Sequence, residues 1–215
     1  MIMNRLMYVI CSLLLCTTIL AQSSYQAATD AQKKEIIDKI TLASNDMRTM
    51  QCDFTQEKEL SFMNDKVVQE GKMYYKQPNK IRWEYTKPMA YVFAMDGKNI
   101  FMDSGSNQTT VPARSSRLFS SMSDIIIGGV SGAGLIDSPD FTASFSVGSN
   151  DYRIMLTPLK KEIKDIYDHI QLFVNKSDSR IQKVELVEKG GDKTLILLKN
   201  TQINATINDE IFSRK

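Results

Sequence analysis

The sequence predicts an α+β fold in which one helix accompanies a strongly curved antiparallel sheet. Three observations carry this. An amphipathic stretch near the start is followed by many segments with period-two alternation, those segments are separated by turn-forming residues, and a glycine, Gly71, sits inside one of them where a bulge or bend lets a sheet curve.

The first element spans residues 30–50, where Ile36, Ile37, Ile40, Leu42, Met47 and Met50 suit an amphipathic helix with Asp30 as its N-cap. Alternation begins at Gln51. Cys52, Phe54, Gln56 and Lys58 share one face of a strand running to Leu60, and Asn64-Asp65 makes the turn. Lys66 to Lys76 is the return strand, with Val67, Met73 and Tyr75 on one face.

Residues 69–102 hold the densest aromatic patterning and read as four strands. Gln77-Pro78-Asn79, Lys87-Pro88 and Asp96-Gly97 separate them, because proline fixes φ and Asn or Gly tolerates positive φ. Ile81, Trp83 and Tyr85 fall on one face, and Arg82, Glu84 and Thr86 on the other. In the next strand the large residues Tyr91, Phe93 and Met95 share a face, and Ala90, Val92 and Ala94 share the opposite one.

Residues 103–113 are polar and turn-rich, with one short strand. Residues 115–139 then change character: Leu118, Phe119, Met122, Ile125 and Ile126 have helical spacing, and a glycine-rich tract from Gly128 to Gly134 follows. This reads as a lid, a short helix with an apolar face on glycine hinges, or equally as a helix packed permanently in the core. From Asp140 onward strands return. A hairpin turns at Gly148-Ser149-Asn150-Asp151, a charged excursion covers residues 158–166, and a meander spans His169 to Gln202, with Ile203 to Phe212 as a last short strand and loop.

The chain begins with Arg5, an apolar run from Leu6 to Leu20 and then Ala21-Gln22-Ser23-Ser24, which has the form of a secretory signal ending at residue 23. The run is short for a membrane span, and neither Cys11 nor Cys16 follows the small residue that bacterial lipoprotein processing requires. The expectation is an exported protein without a lipid anchor, with residues 24–215 as one domain. It then retains only Cys52, so no internal disulfide forms. A net charge of +2 with interspersed signs gives no nucleic-acid footprint.

Catalytic chemistry is poorly supplied. His169 is the only histidine, far from Cys52 and set in a strand pattern, and no metal-ligand spacing or phosphate loop occurs. The expectation is a non-enzyme without metal or cofactor. What stands out is the aromatic and methionine set Met73, Tyr75, Trp83, Tyr85, Tyr91, Phe93, Met95 and Phe101, opposed by Leu118, Phe119 and Met122. It suits a soft site for alkyl chains, or an ordinary core.

The series Asp53-Phe54-Thr55-Gln56, Gln69 to Tyr75, Gln77 to Tyr85, Pro88 and Asp96-Gly97-Lys98 resembles the periplasmic outer-membrane lipoprotein carrier family, LolA. Leu156-Thr157-Pro158, His169 to Val174 and Asn208 to Phe212 extend the likeness in the same order. The resemblance implies an unclosed antiparallel β-barrel, a half-barrel with an N-terminal helix and a helical lid over an apolar cavity. It also implies a monomeric carrier of lipidated proteins in the periplasm of a Gram-negative bacterium, between an inner-membrane ABC-type lipoprotein-release complex and an outer-membrane acceptor. By that likeness Ile81, Trp83 and Tyr85 face the cavity, and Leu118, Phe119 and Met122 belong to the lid; the aromatic and methionine set adds Met73, Tyr75, Tyr91, Phe93 and Phe101 to the cavity, and the helical spacing adds Ile125 and Ile126 to the lid. Where well-studied carriers have an arginine before the turn proline, tied to lid closure, this chain has Gln77, a candidate latch position. A carrier or sensor of another envelope lipid on the same fold is the alternative, and an esterase acting on exported lipids is a third.

Overall fold

The structure is a computed structural model and describes residues 25–63, 65–113, 136 and 138–213. The leader expected at residues 1–23 and the lid residues Leu118, Phe119, Met122, Ile125 and Ile126 lie outside the described residues.

A short strand β1 (Gln26–Ala27) leads into helix α1 (Asp30–Asp46). The helix starts one residue earlier than the sequence suggests. Thr29 is the N-cap, its hydroxyl accepting from the Gln32 N–H while the Gln32 side chain accepts from the Thr29 N–H. Asp30 is therefore the first helical residue, where its charge suits the positive helix end.

Six strands follow: β2 (Thr49–Glu59), β3 (Lys66–Lys76), β4 (Lys80–Lys87), β5 (Tyr91–Met95), β6 (Asn99–Asp103) and β7 (Gln108–Pro112). After residues 114–135 come β8 (Phe141–Val147), β9 (Asp151–Pro158), a one-turn helix α2 (Lys161–Lys164), β10 (Tyr167–Asn175), β11 (Ile181–Glu188) and β12 (Lys193–Ile203). The strand expected over residues 203–212 is not formed. Asn204 turns the backbone into the left-handed region at φ 59°, and Asn208 caps a 3₁₀ turn, Asp209–Phe212. The excursion at 158–166 is anchored by Ile163, buried within α2.

Among the described residues, twelve strands form one antiparallel sheet in the order β1-β8-β9-β10-β11-β12-β2-β3-β4-β5-β6-β7, and it is not closed into a barrel. Every neighbouring pair from β8 to β12 and from β2 to β7 is a sequential one. The two runs meet where β12 lies beside β2, with Ile196 opposite Gln56. Gly71 marks a register shift between β3 and β4, the bend its position suggests.

The inner face is the one that carries α1. Ile36 and Ile40 of α1 pack there with Phe145, Ile154, Leu156 and Leu172. Ile136 joins this cluster. A second cluster covers the inner face of β2–β7 and contains Met47, Met50, Phe54, Met73, Tyr75 and Ile81. It meets only the C-terminal end of α1, through Met47.

Candidate functional site: the inner face of strands β2–β7

Directly opposed residues in antiparallel strands project to one face, so the register decides which side chains meet. Met73 pairs with Trp83, Tyr75 with Ile81 and Gly71 with Tyr85. Ile81, Trp83 and Tyr85 then pair with Met95, Phe93 and Tyr91. Seven of the expected cavity residues, Met73, Tyr75, Ile81, Trp83, Tyr85, Tyr91 and Phe93, thus share the inner face.

Phe101 does not. It pairs with Ala94 and Thr110, which puts it on the outer face beside Arg82 and Val92. The reason is parity: Asp96-Gly97-Lys98 makes a three-residue connection that places Met95 opposite Ile100 and Phe93 opposite Met102. Ile100 and Met102 are the inner residues of β6, and the sequence reading missed both. Asp96 holds this turn, its Oδ1 accepting from the N–H groups of Lys98 and Asn99 at 2.8 Å each, with Gly97 at φ 95°.

β2 supplies the rest of the site. Met50, Cys52 and Phe54 face Tyr75, Met73 and Gly71. The Phe54 ring lies 4.7 Å from that of Trp83 and 5.1 Å from that of Tyr85, with Tyr91 6.0 Å beyond Tyr85. Phe54 was legible as an inward residue of its strand. Its meeting with Trp83 was not, because that depends on the β2–β3–β4 register.

Burial divides the set. Met73, Tyr75 and Ile81 are at most 3% exposed, while Trp83, Tyr85, Tyr91 and Phe93 are half-buried. Burial pushes the Tyr85 hydroxyl up to about 12 and raises those of Tyr75 and Tyr91, so the phenols stay neutral. The Cys52 thiol is likewise pushed up to about 12 by burial and then by the charge of Asp53. A surface of neutral rings and thioethers offers dispersion and apolar burial to a guest, and little that would hold a charged one.

Gln77 sits at the edge of this site. Its N–H donates to the Arg48 carbonyl at 2.8 Å, and its side-chain Nε2 donates to the Ser44 carbonyl in the last turn of α1 at 3.2 Å. Arg82 serves the outer face, where Nε bonds Glu84 and Nη1 bonds the Ile211 carbonyl. His169 is held by Asp168 and Gln171. Among the described residues no cluster of His, Cys, Asp and Glu could hold a metal, and no helix is long and apolar enough to cross a membrane.

A family model described as "Outer membrane lipoprotein carrier protein LolA" matches residues 45–215. No curated protein matches the chain in sequence. Among solved structures the chain is similar to an uncharacterized conserved protein from Thermus thermophilus, with 11% identity and a TM-score of 0.52 over 86% of this chain and 94% of that one. It is also similar to a LolA superfamily protein from Nitrosomonas europaea, at 13% identity and a TM-score of 0.45 over 87% and 99%. A third is the lipoprotein LppX of Mycobacterium tuberculosis, at 10% identity and a TM-score of 0.47 over 84% and 99%. At such identities the likeness to solved structures is one of fold.

Proposed function

Because this chain belongs to the LolA family of outer membrane lipoprotein carrier proteins, we propose that it is a periplasmic, non-enzymatic carrier that holds the acyl chains of lipidated proteins and shuttles them from the inner to the outer membrane. The observation that carries this reading is the half-buried aromatic strip of Trp83, Tyr85, Tyr91 and Phe93 on an inner face where α1 reaches only the near end. The leader-like residues 1–23 are in keeping with export.

Energetics define the partners. Each buried methylene is worth about 0.8 kcal/mol, so sequestering a long acyl chain gains on the order of 10 kcal/mol relative to water. A bilayer offers the chain much the same environment. The carrier therefore takes cargo from a powered donor, an inner-membrane ABC-type release complex, and yields it to an outer-membrane acceptor that binds the chains more favourably.

Trp83 is the only tryptophan of the chain, which makes its emission a site-specific reporter. Acyl chains brominated along their length should quench it on binding, and native mass spectrometry of protein purified from its own envelope should find a lipidated protein bound. Free lipid as the sole bound species would move the reading to a carrier of another envelope lipid. An empty protein whose Trp83 emission ignores brominated chains would overturn the carrier reading altogether.

A further inference from the structure

The inner face of β2–β4 changes character along its length. Running from the 77–79 turn toward the β2–β3 hairpin tip, the inward residues of β2 are Met50, Cys52, Phe54, Gln56 and Lys58, and those of β4 are Ile81, Trp83 and Tyr85. Apolar residues give way to aromatic ones, and these to amides.

The amides form a chain. The Tyr85 hydroxyl donates to Gln56 Oε1 at 3.1 Å, and Gln56 Nε2 donates to Gln69 Oε1 at 2.9 Å. The Gln69 amide nitrogen has no partner among the described residues, so it presents two donors, and Gln56 Nε2 keeps a second. One step further out, Lys58 meets Glu188 at 3.2 Å, so this end carries no free charge from that pair. Inward glutamines bordering an aromatic surface forgo apolar burial, and their spare donors suit a neutral acceptor such as an ester or amide carbonyl, because a phosphate or carboxylate here would lose water with no countercharge from the Lys58–Glu188 pair.

The loops at the two ends of the strands differ as well, in the opposite sense. The β2–β3 and β4–β5 loops at the amide end expose Phe62 at 79% and Met89 at 75%, while the 77–79 and 96–98 turns at the other end are polar. From Met50 to Gln56 the strand covers about 20 Å, room for a long acyl chain laid along it.

We propose that Gln56, Gln69 and the Tyr85 hydroxyl form a linkage-binding site that fixes the direction of the guest. The chain end lies toward Met50 and Ile81, the ester or amide linkage lies against the amides, and the polar remainder leaves past the β2–β3 tip. This rests on the carrier reading and adds to it an orientation and a chemical class for the group bound at the rim.

The test uses the full chain with a monoacylglycerol carrying a nitroxide either near its ester or at the end of its acyl chain, read by broadening of methyl resonances. The ester-side label should broaden Val67, which is on the inner face at the amide end, and the chain-end label should broaden Ile81 and Ile100. The pair of substitutions Gln56→Leu and Gln69→Leu should erase that preference and weaken monoacylglycerol binding about tenfold relative to an alkane-only probe, as loss of one or two hydrogen bonds implies. A reversed pattern, or an unchanged preference in a double variant that melts like the parent, overturns the linkage site while leaving the carrier reading intact. No broadening with either label at high probe concentration overturns both.

Discussion

The ring of Phe54 occupies the space that a side chain at Gly71 would need: a β-carbon there would lie 2.7 Å from Phe54 Cζ and 2.0 Å from the Glu84 carbonyl oxygen. The missing side chain lets the β3–β4 register shift close up and lets Phe54 reach both Trp83 and Tyr85. Gly71→Ala should therefore cost about 3 kcal/mol, at the upper end of overpacking because one clash is with backbone. Urea unfolding with an unchanged m-value would measure it. A loss below about 0.5 kcal/mol would show that the sheet relaxes around the methyl group.

Asn204 ties the end of the chain to its beginning. Its Oδ1 accepts from the Arg48 N–H at 2.8 Å, its Nδ2 donates to the Asp46 carbonyl at 2.9 Å, and its backbone sits at φ 59°. Asn204→Ala loses the hydrogen bonds and adds backbone strain, about 2–3 kcal/mol together, whereas Asn204→Gly loses the bonds without the strain, about 1–2 kcal/mol. The order of the two melting temperatures is the readout. Alanine as stable as glycine would remove strain from the account.

Asp209 gives the 3₁₀ turn a pH dependence. Hydrogen bonds from Lys76 at 2.5 Å and Lys80 at 2.7 Å hold its carboxyl down at about 2, below the ordinary 3.8. A folded-state value lowered in this way contributes stability that is complete above 3.8 and drains away as the pH falls toward about 2. The amides of Ile211 and Ser213 should shift in that window, and Asp209→Asn should make them insensitive to it. Identical titrations of parent and variant would dissociate the turn from this carboxylate.

Cys52 should be chemically silent. It is 5% exposed and its thiol is pushed up to about 12, so little thiolate exists at neutral pH and little of it is reachable. Alkylation of the Cys52 peptide, followed by mass spectrometry, should track global unfolding. A rate in native buffer comparable to that of the denatured chain would show that the inner face opens locally.

Much of the half-barrel was legible because its signals are local. Pro78, Pro88 and Gly97 punctuate strands whose alternation assigns faces, and the grouping of Ile81, Trp83 and Tyr85 follows from a period of two alone. Thr29 was legible too, since Thr-x-x-Gln is a capping pattern that an acidic neighbour obscured. Phe101 belongs to the aromatic set by residue type alone, whereas counting outward from the 96–98 turn decides its face. What no local pattern carries is the pairing of β12 with β2, or the glutamine ladder from Tyr85 to Gln69, which exists only once three strands have taken their register.

The ladder between β12 and β2 has a meaning for synthesis. Each run of hairpins, β2–β7 and β8–β12, can form as soon as its own strands are synthesised, but the seam between them needs the last long strand beside the first. Until then the eleven residues of β2 hold an unpaired edge, and α1 lacks the asparagine that ties down its end. A product cut short before Lys193 is thus not a smaller carrier. It is a sheet with its longest edge open, a template for aggregation and prey for proteases.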